Sequence, residues 1–179
     1  MSTTVSATAS TPESITNTWI KEVNFRLFEE SVPRIKKCLA ELSEEEVWQR
    51  PNDNLSSIGN LVLHLMGNVT QYVVHGIGGA PDDRIRDDEF NAQSPFDKAE
   101  LISRLEKFEE AARQALTRFK PTDLERTYSI QGFDLTGISV LTHVVEHFSY
   151  HTGQITWYTK FLKNKDMGYY GGLDLNVTG

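Results

Sequence analysis

The sequence lacks the chemistry that several large functional classes require. Cys38 is the only cysteine in 179 residues, so one chain forms neither a disulfide nor a cysteine-rich zinc site, and a reducing, cytoplasmic setting fits. Positive charge is scarce: 18 Lys and Arg face 25 Asp and Glu, a formal charge of −7, which argues against nucleic acid or an anionic membrane surface as partner. No apolar run approaches the roughly 18 residues of a membrane-spanning helix. Residues 1–12, MSTTVSATASTP, have neither a basic residue nor an apolar stretch. They match no secretory or transit signal and read as a disordered lead-in to a single domain over 13–179. Glycine-rich phosphate loops, Gly-x-Ser-x-Gly and His-Glu-x-x-His are absent, and no histidine follows a glutamate by three positions as in di-iron carboxylate bundles. No fixed-period repeat is present, which removes solenoids.

With only 12 Gly and 6 Pro, four long stretches remain uninterrupted enough to carry apolar residues at helical spacing. The first spans Ser14 to Glu41, with Pro33 expected to kink it and Cys38 beside its apolar stripe as a small core hydrophobe. Ser43-Glu44-Glu45-Glu46 predicts a capping box on a short connecting helix. The second long helix opens at Ser56 or Ser57 and ends near Gly76, and residues 80–94 read as a solvated acidic connection. Ser94-Pro95 predicts the start of the third helix, which Pro121 stops. Residues 126–135 alternate around Gln131-Gly132 as a small hairpin would. The fourth helix runs from about Thr136 to Lys163, followed by an irregular tail. The expected fold is all-α, a four-helix bundle whose long second connection permits a crossover.

Five histidines are present, and three of them, His143, His147 and His151, recur every four residues on the fourth helix. Neighbours at i and i+4 lie one turn apart and can converge on one divalent ion. His143 and His151 are separated by roughly 12 Å of helical rise, too far to share it. The row drifts by about 40° per step toward the apolar stripe of Val144, Phe148 and Ile155. His147 and His151 are therefore the inward pair, with His143 at the rim. His64, midway along the second helix, is the natural third ligand, which gives a mononuclear three-histidine site for a divalent metal. His75 lies roughly 16 Å further along the helix and reads as a helix-end residue near the last carbonyls. Because the ligands must be neutral, affinity for the ion should fall as pH drops through about 6.5.

Gln154, three residues past His151, and Asn60 and Asn68, flanking His64 at i−4 and i+4, are candidates to hydrogen-bond a ligating imidazole or a substrate. The alternative for each is a polar residue at a helix boundary. Glu146 is placed about 100° from His147, so no general acid or base is assigned.

The segments Asn60-Leu61-Val62-Leu63-His64-Leu65 and His147-x-x-x-His151-x-Gly153-Gln154-Ile155, in this helix order over roughly residues 14–163, resemble the DinB/YfiT-like metal-binding four-helix bundles. The resemblance implies nickel or zinc on His64, His147 and His151, and a homodimer. Some such proteins are S-transferases or isomerases that use low-molecular-weight thiols. Two functions follow as expectations: a metal-dependent S-transferase or hydrolase acting on a small molecule, or a non-catalytic protein that binds a metal or small ligand. An open coordination position would favour the first, and a fourth protein ligand the second.

Overall fold

The computed structural model describes residues 11–178, so the expected lead-in over 1–10 lies outside the described residues. Thr11 and Pro12 belong to the domain: the Thr11 hydroxyl accepts from the Ser14 amide, and Pro12 opens α1 (Pro12–Asn24) at the position where its missing N–H costs nothing. A π-helical segment, Phe25–Ser31, continues α1 into α2 (Val32–Glu41), making one rod. The expected kink at Pro33 takes this form. Proline donates no hydrogen bond and crowds the carbonyl four residues back, and the wide turn just before it relieves that crowding.

Ser43 and Glu46 form the expected capping box on α3 (Glu44–Trp48). A second box, Ser57 with Asn60, opens α4 (Ile58–Val69), which passes into a π-helical segment, Thr70–Ile77, to complete the second rod. The connection that follows is exposed at Asp82, Asp83, Asp87 and Asp88 as expected, but it is not a plain loop. It contains α5 (Arg86–Asn91) and packs onto α4. The third rod, α6 (Lys98–Leu116), starts later than Ser94-Pro95 suggests, because Asp97 caps it by accepting from the Glu100 amide. Ser94 instead sits in the left-handed region at φ 51°. Strands β1 (Thr127–Ile130) and β2 (Phe133–Thr136) pair antiparallel through the Gln131-Gly132 turn, where both residues have positive φ. The fourth rod, α7 (Gly137–Lys163), ends at left-handed Asn164, and no helix or strand follows.

The rods alternate in space. α7 packs against the first rod and α4, while α6 packs against α2 and the second rod. The first and second rods are thus diagonal, as are the third and fourth. The crossovers are made by residues 42–57 and 117–136, and the second connection joins neighbours instead of crossing. Leu27, Ile35, Leu65, Leu105 and Phe148 lie in the shared core. Cys38 is buried there, with its Sγ 3.2 Å from the Tyr169 hydroxyl, so the tail folds back over the first rod. No helix among the described residues is long and apolar enough to cross a membrane.

Candidate metal centre

The neighbouring helices α4 and α7 bring His64, His147 and His151 together, with one ring nitrogen from each lying within 4.8 Å of the others. Nε2 of His64 and Nε2 of His147 are 3.1 Å apart. Two imidazoles bound tetrahedrally to one zinc at 2.0–2.1 Å would place their nitrogens about 3.4 Å apart, so the spacing fits a shared ion. Among the described residues no fourth Cys, Asp, Glu or His joins the group.

Two of the three rings have their outward nitrogen engaged. His64 Nδ1 is 2.9 Å from Glu89 Oε2, and a carboxylate only accepts, so His64 carries its proton on Nδ1 and presents a bare Nε2 to the centre. Arg84 Nη2 also lies 3.2 Å from this Nδ1, but its hydrogen has a better acceptor in Glu89 Oε2 at 2.8 Å. His151 Nδ1 donates in the same way to Gln154 Oε1 at 2.7 Å. His147 Nδ1 is buried with no partner.

Glu89 and Arg84 are the residues that sequence reasoning missed. They form a paired ion bridge, Arg84 Nε to Glu89 Oε1 at 2.7 Å, with side chains only 6% and 11% exposed. Burial pushes the Glu89 carboxyl up, but the hydrogen bonds from Arg84 and His64 outweigh it and hold the group below its ordinary range. The pair fits because of a stripe on the second rod: Asn60, His64, Gly67 and Gln71 recur at i, i+4, i+7 and i+11, on one face. Gln71 accepts from Arg84 Nη1 at 2.8 Å and donates to Asp82 at 2.7 Å. At Gly67, a Cβ would overlap the Glu89 carboxylate. The signal was present in the sequence as polar residues on an otherwise apolar helix beside a loop rich in both charges.

The remaining expected residues fall in different places. Asn60 touches no histidine. Its amide donates to the Glu89 and Ala92 carbonyls at 2.9 and 3.0 Å, holding the segment that carries Glu89. Asn68 lies 3.4 Å from His143 Nε2, and His143 stacks on Tyr72 outside the three-histidine group. His75 sits in the last helical turn as expected, yet its buried Nδ1 finds no carbonyl. Glu146 is exposed.

Burial, reinforced by the neighbouring His151 and His64, lowers the pKa of His147 to about 3, and burial also lowers those of His143 and His151. The His147 imidazole therefore stays neutral, ready to ligate, well below the ordinary histidine value of about 6.5.

Comparison with known proteins places this geometry on a recognised fold. A DinB-like protein of Bacillus cereus superposes with a TM-score of 0.62 at 16% identity, covering 78% of this chain and 91% of that one. A DinB-like protein of Bacillus subtilis does so with the same score and identity, at 81% and 94% coverage. A conserved protein of Enterococcus faecalis, 13% identical, also scores 0.62, at 88% and 100% coverage. No curated protein matches the sequence. The family model described as protein of unknown function DUF1572 matches residues 14–170, nearly the whole described chain, and the chain therefore belongs to that family, built on the DinB-like fold.

Proposed function

We propose that the chain binds one divalent metal ion, nickel or zinc, through His64, His147 and His151, and acts with it on a small molecule as a thiol S-transferase or hydrolase. The observation that carries this reading is the convergence of three imidazole nitrogens within 4.8 Å, with Glu89 and Gln154 fixing the outward protons of two rings. A divalent ion held by three neutral imidazoles supplies Lewis acidity at neutral pH, which both hydrolysis and thiol transfer need. The protein supplies position: Glu89 orients His64, Gln154 orients His151, and burial keeps His147 unprotonated. The lack of a fourth side chain in the group favours an enzyme over a closed structural site. Glu89 is not assigned as a general base, because Arg84 and His64 occupy both its oxygens.

Elemental analysis of purified protein tests the reading. Wild type, His143→Ala and His75→Ala should each carry one ion per chain, while His64→Ala, His147→Ala and His151→Ala should lose it. Retention of full metal by any of the last three variants removes the proposed ligand set. A screen of electrophiles and esters with several low-molecular-weight thiols then separates transfer from hydrolysis.

A further inference from the structure

A cavity of about 680 Å3 opens beside the three histidines and includes His151 and its partner Gln154 in its lining. Its walls are Leu61, Phe90, Tyr150, Trp157, Tyr158 and Phe161. Phe90 also packs on the His64 ring at 4.5 Å, so one aromatic wall is shared with the histidine group. The volume is that of a small-molecule site. Neither Asp, Glu, Lys nor Arg lines it, and its polar groups are the neutral Asn54, Ser56, Gln154 and tyrosine hydroxyls together with His151. Gln154 Oε1 already accepts from His151, which leaves its amide nitrogen to donate.

Three of the walls are large aromatic rings left open to solvent: Tyr150, Trp157 and Phe161 are 63%, 66% and 68% exposed. Trp157 and Phe161 lie nearly parallel at 5.8 Å, forming a flat shelf along α7. A second cavity of about 700 Å3 adjoins it, shares Gly153, Trp157 and Phe161 with it, and carries the charged side chains Arg26, Glu30, Arg34 and Lys160 on its far face. The charged face does not touch the histidines.

We propose that the uncharged cavity is the substrate subsite of the three-histidine centre, and that it takes a small molecule with a planar aromatic body and no cationic group, whose polar end reaches the Gln154 amide at the edge of the centre. The assignment rests on the metal centre proposed above. An ammonium carried into this lining would lose water without meeting a counter-charge, and the dication of the proposed centre would repel it, so an ammonium on the same body is rejected.

Calorimetric titration of the full chain, zinc-loaded and zinc-stripped, with 2-naphthol and 2-(aminomethyl)naphthalene at pH 7.5 reads this directly. The neutral probe should bind about tenfold or more tighter than the cationic one, a preference of about 1.4 kcal/mol. Trp157→Ala, an exposed position where truncation leaves the core intact, should weaken naphthol binding to a similar degree without changing zinc content. Equal binding of 2-(aminomethyl)naphthalene, or naphthol binding indifferent to Trp157→Ala, overturns the subsite even if the chain carries its zinc. A chain that carries no zinc yet binds naphthol with the stated preference supports the ligand class and removes the metal reading alone. If naphthol does not bind and the chain sediments as a dimer that Trp157→Ala dissociates, the aromatic shelf belongs to a second copy and the subsite is overturned.

Discussion

Glu89 lies against Arg84, His64 and the bare backbone of Gly67, and each contact has a separate consequence. Removing the carboxylate leaves His64 free to choose its tautomer and ring orientation, and such changes behind a ligand typically cost 10–100-fold in metal affinity. Glu89→Ala should therefore bind zinc roughly 10–100-fold more weakly in competition with a chromophoric chelator, and unchanged affinity would sink the positioning role. Gly67→Ala is a sharper test because two effects oppose each other. Alanine favours a helix over glycine by about 1 kcal/mol, but here its Cβ displaces the Glu89 carboxylate. Metal affinity should fall even where the urea midpoint does not. A variant with more stability and full affinity would show that the ion pair moves aside at no cost to the site.

His147 changes its protonation between folded and unfolded chains. Its folded pKa is about 3 against about 6.5 when unfolded, so between these values the unfolded chain binds more protons and stability rises with pH. The lowered values of His143 and His151 act in the same direction. Metal-free protein should keep its full histidine contribution above about pH 6.5 and lose it progressively on acidification toward pH 3. In urea melts at pH 7 and pH 5, the drop in midpoint should be smaller for His147→Gln than for wild type. Equal drops would assign the acid sensitivity elsewhere.

Among the elements, the second connection departs most from its appearance in the sequence. Asp82, Asp83, Asp87 and Asp88 make it read as solvated, and no local pattern in the sequence points to a donor for its backbone carbonyls. The buried amide of Asn60, fixed by the α4 capping box, supplies two hydrogen bonds to the Glu89 and Ala92 carbonyls. The start of α6 was misplaced for a related reason. Ser94-Pro95 and Asp97 are both good cap signals, and only the observed hydrogen bond from the Glu100 amide to Asp97 chooses between them. Asp97→Ala should cost about 1 kcal/mol in a urea melt, whereas Ser94→Ala should stay within about 0.5 kcal/mol. A reversal of the two would restore the earlier start.

At the scale of the whole molecule, the helical periods, the capping box at Ser43, the helix start at Ser56 or Ser57 and the hairpin turn at Gln131-Gly132 were legible because each depends on residues within a few positions of one another. The convergence of His147 and His151 is equally local, since helical pitch alone puts i and i+4 on one face. The order of the rods was not legible. Connections of similar character join neighbours once, between the second and third rods, and span the diagonal twice, and only packing of the apolar faces decides which. That packing sets α4 beside α7 and so makes His64 the third member of the group, and it buries Arg84 and Glu89 against a glycine. The sequence determined the elements and the paired histidines through short-range geometry. The tertiary structure decided that His64, named from its place on the second helix, meets that pair, and it decided the carboxylate behind it and the aromatic cavity beside it, because those depend on contacts between residues 20 or more positions apart that no local period encodes.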